Sequence, residues 1–161
     1  MQILRPITVK FPKRLVAQFK KQAKAAFPHE TWAALLGTER VNGSRSMEVC
    51  SLFVPESVSK HCKTATIDMQ HGWFTEAQEY AQENDIVLLG DIHSHPYTYD
   101  ILKASHYKLL DRTLSEPDLD YTRWDGLSAI MVVEEYRPFK LRARYRIWGP
   151  ITPVLVVESS G

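Results

Sequence analysis

The sequence predicts a single mixed α/β domain, with one central sheet covered by two or three helices. Three observations carry that expectation. Apolar residues recur at helical spacing after Pro12, while short apolar or alternating runs at 33–37, 47–54, 86–89, 127–133 and 141–147 read as strands. The 161 residues suit one compact domain, spanning 1–161, with a core that needs no disulfide scaffold. Composition is ordinary for a globular protein, at 44% hydrophobic and 24% charged residues.

The elements follow in order. Ile7-Thr8-Val9-Lys10-Phe11 is a short extended start, and Pro12 is placed to open a helix. In that helix Leu15, Phe19, Ala23 and Ala26 form the inward stripe. Lys13, Lys20, Lys21 and Lys24 fall mostly on other faces and read as a solvated surface. The strand at 33–37 leads through Val41-Asn42-Gly43-Ser44, a hairpin turn signal, into the strand at 47–54. Residues 55–67 read as a loop. A second helix is expected from about Asp68, as N-cap, to Asn84, with Met69, Trp73, Ala77, Tyr80 and Ala81 inward. Gly72 stands inside that pattern, where it weakens a helix.

Ile86-Val87-Leu88-Leu89 is an uninterrupted apolar run, as expected of a strand buried on both faces. A third helix is expected from about Ala104 to Leu114, with Tyr107, Leu110 and Leu114 inward. The run at 127–133 is another buried strand. The run at 141–147 alternates strictly, with Arg142, Arg144 and Arg146 on one face. They could grip a substrate; a solvent-facing strand surface explains them equally well. Trp32, Trp73, Trp124 and Trp148 are expected in the core or at its edge.

Charge and processing signals narrow the function. A net charge of +1 gives no global attraction to nucleic acid or to an acidic membrane, so neither is expected as a partner. The N-terminus has no secretory pattern, and no apolar run is long enough to cross a bilayer. Cys50 and Cys62 read as two reduced thiols. A cytoplasmic protein is expected.

The chemistry concentrates in Gly90-Asp91-Ile92-His93-Ser94-His95-Pro96. In an extended segment, side chains two apart point the same way, so His93 and His95 are presented together and Ser94 points away. Neutral imidazole is a favoured zinc ligand, and a catalytic zinc usually takes three protein ligands and a water. A His-x-His pair alone is weak; this one closes a buried strand, where α/β folds commonly place sites. Pro96 is expected to end that strand. Third-ligand candidates follow at Asp100, His106 and Asp111. A hydrolase also needs a carboxylate to carry protons, and Glu30 stands immediately before an apolar strand.

Two separated segments resemble the JAMM metalloproteases, also called MPN-plus or JAB, and in particular their short prokaryotic members. Glu30-Thr31-Trp32-Ala33-Ala34-Leu35-Leu36-Gly37 is similar to that family's Glu before a strand ending in Leu-x-Gly. His93-Ser94-His95-Pro96 is similar to its His-x-His-Pro. The order of elements over about residues 10–148 resembles the family too, implying a JAB/MPN-like domain.

The resemblance implies Glu30 as general acid/base and His93 and His95 as ligands of a Zn2+ ion. The family's later Ser-x-x-Asp is not matched directly. An ungapped count sets Lys103 at the serine and His106 at the aspartate. A two-residue insertion sets Ser105 at the serine but Lys108 at the aspartate, where lysine cannot ligate. His106 is therefore taken as the third metal ligand, with Asp111 second, and Ser105 as the catalytic donor to the oxyanion.

The implied function is a zinc-dependent isopeptidase or peptidase that removes or processes a ubiquitin-like protein from its conjugate. A phage tail-processing peptidase of the same fold also suits a minimal domain. The altered third element motivates another alternative, a catalytically impaired MPN-type scaffold that binds partners.

Overall fold

The computed structural model describes residues 6–56, 58, 72–104, 126–149 and 154–160. Among these, seven strands form one mixed sheet: β1 (Ile7–Pro12), β2 (Trp32–Val41), β3 (Arg45–Phe53), β4 (Val87–Tyr97), β5 (Leu127–Arg137), β6 (Lys140–Trp148) and β7 (Val154–Ser159). Their spatial order is β6-β5-β4-β2-β3-β1-β7. Three helices pack on it: α1 (Lys13–Ala26), α2 (Trp73–Glu83) and α3 (Tyr99–Ala104). The mixed α/β class read from the sequence is the observed one.

The first expected elements form close to where periodicity sets them. Pro12 is the last residue of β1 and the N-cap of α1, so it ends a strand and admits a helix at one point. Leu15, Phe19 and Ala23 are buried as expected, with Val16 beside them. The hairpin of β2 and β3 turns at Gly43, whose φ of 72° is easy only for glycine. Both strands run longer than the apolar runs that announce them, because cross-strand pairing continues beyond the buried part.

Other expectations shift. Gly72 is the N-cap of α2, with φ 75°, and is not inside the helix; the proposed cap Asp68, with Met69, lies outside the described residues. Tyr80 is 39% exposed, not inward, although its ring stacks on Phe53 at 4.4 Å. β4 does not end at Pro96 but runs to Tyr97, because its ladder with β5 continues there, pairing Pro96 with Val133. Its buried stretch is 89–94 rather than 86–89: Val87 is 45% exposed, since the packed layers cover the middle of the sheet and not its ends.

α3 is not expected from the sequence; the helix expected from about Ala104 to Leu114 lies, beyond Ala104, outside the described residues. Glu135 Oε1 accepts the Tyr99 N–H at 2.9 Å and Thr98 Oγ1 accepts that of Ile101 at 3.4 Å. These acceptors satisfy first-turn donors that the helix itself leaves unpaired. Tyr107, Leu110, Leu114 and Trp124 lie outside the described residues. β7, which the sequence reading does not anticipate, pairs parallel with β1.

The sheet has two covered faces. On one, Leu15, Phe19 and Ala23 of α1 join Val9, Phe11, Ala33, Leu35, Ile92 and Met131 in the largest core cluster. On the other, Trp73, Ala77 and Ala81 of α2 pack on Trp32, Ala34 and Leu36. Farther along this second face, Leu102 of α3 packs on Ile130 and Val132. Tyr145 of β6 donates to Glu158 of β7 at 2.8 Å and meets the Phe11 ring edge-on at 5.7 Å. The sheet therefore curls around α1, bringing its first and last strands within reach of each other. Among the described residues no helix is long and apolar enough to cross a membrane.

Candidate metal centre

β4 is the axis of the site. It pairs antiparallel with β2, setting Trp32 opposite His93, and parallel with β5, setting Ile130 beside His93 and Val132 beside His95. Gly90 lets the two backbones close up, because a Cβ there would lie 2.2 Å from the Leu127 carbonyl oxygen. The twofold alternation of a strand then puts Asp91, His93 and His95 on the face of α2 and α3, and Ile92 and Ser94 on the face of α1.

The two imidazoles converge. Their Nε2 atoms are 2.9 Å apart and the ring centroids 4.8 Å. Two histidine nitrogens on one tetrahedral zinc stand about 3.3 Å apart, given bonds of roughly 2.0–2.1 Å. The observed pair needs to open by only a few tenths of an ångström, so the donor set fits a shared ion. His93 is buried and His95 half-buried, so the pair opens outward past His95. Burial, and then the neighbouring His95, holds the His93 pKa well below its ordinary value. His93 is thereby kept neutral, the form that can donate to a metal.

Behind His93 lies a residue that the sequence reading passes over. Asp91 is fully buried, and its Oδ2 accepts the indole N–H of Trp32 at 2.8 Å. The same oxygen lies 3.9 Å from Nδ1 of His93. The alternation that selects His93 and His95 also selects the position two before them, so the signal was present in the strand pattern.

On the opposite face Ser94 points away from the pair, as expected, and ties down the segment that carries Glu30. Ser94 Oγ accepts the Thr31 N–H at 2.9 Å, and the Ser94 N–H donates to the Thr31 carbonyl at 3.0 Å. From α1, Gln22 Nε2 donates to Thr31 Oγ1 at 2.9 Å and to the Trp32 carbonyl at 3.1 Å. The β2–β4 register ends at Trp32 and His93, and half-buried Glu30 directly precedes Thr31, which is tied to Ser94, the residue between the two histidines. Glu30, His93 and His95 are thus brought to one end of one strand pair.

Ser105, His106 and Asp111 lie outside the described residues. Asp100 is exposed in the first turn of α3, and Lys103 is exposed on the same helix. Among the described residues no group of three or more His, Cys, Asp or Glu side chains is disposed to hold a metal ion. Cys50 is a free thiol, and Cys62 lies outside the described residues.

The β5–β6 register sets Arg146 beside Ile130 and Arg144 beside Val132, so the exposed arginines share the histidines' face, two strands away. Arg142 pairs with buried Glu134 and lies over Tyr136; Arg146 lies over Trp148.

Comparison with known proteins adds a family to this geometry. The sequence model for prokaryotic homologs of the JAB domain matches residues 12–101. That stretch includes Glu30, His93 and His95 and ends before Ser105, His106 and Asp111. Among solved structures, the chain is similar to a protein of Desulfitobacterium hafniense determined in solution, with a TM-score of 0.52 and 18% identity over 95% of this chain and 94% of that one. At that identity the likeness concerns the fold alone. A JAB1/MPN domain protein from Archaeoglobus fulgidus matches with a TM-score of 0.42 and 16% identity, over 96% of this chain and 100% of that one. No curated protein matches the chain.

Proposed function

Because this chain belongs to the family of prokaryotic homologs of the JAB domain, we propose that it is a zinc-dependent peptidase or isopeptidase that releases or trims ubiquitin-like modifiers. The observation that carries this reading is the approach of the two Nε2 atoms, 2.9 Å apart, at the strand end that Glu30 also reaches. Polar surface explains two histidines on a strand; it does not explain a buried imidazole converging on a second one.

In this reading His93 and His95 hold the ion through Nε2. His106 is the proposed third ligand, with Asp111 second. When bound, the ion acidifies a water molecule and polarises the scissile carbonyl. Glu30 takes a proton from the attacking water at its carboxylate and delivers it to the nitrogen of the leaving amine. Ser105 is the proposed donor to the developing oxyanion.

A modifier's C-terminal tail is expected to bind extended, as a strand added to a sheet edge beside the site.

A second reading, a partner-binding domain without catalysis, is favoured by Lys103 at the ungapped position of the family's serine. One experiment separates the two. Purified protein is assayed for metal content and for cleavage of a ubiquitin-like fusion, as wild type, His93→Ala and Glu30→Gln. Peptidase chemistry requires stoichiometric zinc that is lost in His93→Ala, with cleavage lost in Glu30→Gln while zinc is retained. Protein without metal at neutral pH, or metal without cleavage, supports the scaffold.

A further inference from the structure

His93 presents its two ring nitrogens to two different neighbours. Nε2 meets Nε2 of His95 at 2.9 Å. Nδ1 turns inward, with Asp91 Oδ2 3.9 Å away. That carboxylate is fully buried, and the indole N–H of Trp32 fixes the same Oδ2 at 2.8 Å. Trp32 is itself immobilised: fully buried, 5.6 Å from the ring of Trp73, 5.2 Å from that of Phe74, and opposite His93 in the ladder. The carboxylate is thus set in place by an element other than its own strand.

We propose that Asp91, held by Trp32, is a positioning residue that keeps His93 in the Nδ1–H tautomer and leaves the Nε2 lone pair for the metal ion. A neutral imidazole carries one ring proton. With that proton on Nδ1, a positive N–H dipole faces the carboxylate. With it on Nε2, two lone-pair-bearing atoms face each other across a buried gap. At 3.9 Å the two atoms are beyond hydrogen-bond distance, so Asp91 acts through its field, which low-dielectric surroundings screen weakly. Asp91 faces Nδ1 and His95 faces Nε2, so the action of Asp91 on an ion held at Nε2 runs through the ring.

The inference rests on His93 being a ligand, as proposed above, and its test is built to fail separately. Zinc affinity is measured by competition with a chromophoric chelator for wild type, Asp91→Asn and Trp32→Phe. Loss of a hydrogen-bonded outer partner weakens metal binding about 10–100-fold, and Asp91→Asn, which removes a partner at longer range, is expected at the lower end, about tenfold. Trp32→Phe, which removes the donor but keeps an aromatic ring, is expected to lose less. In parallel, nitrogen-detected NMR of the metal-free wild type reads the His93 tautomer directly. A predominant Nδ1–H form that loses weight in either variant supports the assignment. A predominant Nε2–H form in wild type overturns it, as does zinc affinity unchanged in Asp91→Asn. If wild-type protein takes up no zinc, the proposed function fails, and the tautomer measurement still decides the role of Asp91. Should Asp91→Asn not fold, the wild-type tautomer and Trp32→Phe carry the test.

Discussion

Ser94 and Thr31, 63 residues apart, replace a missing rung of the β2–β4 ladder: the serine hydroxyl, not a backbone carbonyl, accepts the threonine N–H, at 2.9 Å. This contact fixes the residue next to Glu30 from the face of the sheet opposite the histidines. Ser94→Ala leaves a buried backbone donor without that acceptor, which costs about 1–3 kcal/mol. The denaturant midpoint should fall accordingly, and cleavage should fall with it, because Glu30 is less well placed. Zinc content should stay at the wild-type level. Loss of zinc in this variant would mean that Ser94 supports the histidines and not the Glu30 segment.

Glu30→Gln keeps the size of the side chain and removes its capacity to carry a proton. General acid–base groups contribute about 10²–10⁴-fold to rate, so kcat should drop within that range. The KM for a ubiquitin-like fusion and the zinc stoichiometry should be unchanged. A KM effect with kcat intact would assign Glu30 to substrate binding.

Gly90→Ala tests the close approach of β4 and β5. The added Cβ would meet the Leu127 carbonyl at 2.2 Å, and neither backbone can yield without parting the ladder. Overpacking of this kind costs about 1–3 kcal/mol. Zinc affinity should fall in the same variant, since Gly90 directly precedes Asp91 in the strand that presents both histidines. Wild-type stability in Gly90→Ala would show that the two strands can part at this point without penalty.

The link between β6 and β7 predicts a dependence on high pH. Burial, then the hydrogen bond to Glu158 and its charge, raise the Tyr145 pKa above its ordinary value. A raised pKa means that the folded state keeps its proton after the unfolded state has lost it. The stabilisation is fully present below the unfolded tyrosine pKa of about 10 and is lost as pH rises beyond it. The unfolding midpoint should therefore drop above about pH 10, and less steeply in Tyr145→Phe. Equal pH slopes in the two proteins would detach Tyr145 from the effect.

Much of this molecule is local in origin. The stripe Leu15, Phe19, Ala23 is a helix face because its spacing matches 3.6 residues per turn, and it is buried as that spacing predicts. The hairpin follows from Asn42 and Gly43, because few residues besides glycine accept the backbone of such a turn. β7 was not legible: Val154-Leu155-Val156-Val157 does not alternate, and its strand state comes from pairing with β1 at the far end of the chain. α3 was not legible either, because the acceptor for its Tyr99 N–H is Glu135, supplied by another strand.

The sequence by itself determined that His93 and His95 stand on one side of a strand, since a period of two is a property of the extended backbone and needs no partner. It also determined that Ser94 faces the other way. Only the tertiary structure decided what meets them. Trp32 reaches Asp91, and Thr31, the neighbour of Glu30, reaches Ser94, because one antiparallel register joins segments about sixty residues apart. Register is set by the burial of whole faces and by long-range pairing, so no local spacing within either segment contains it.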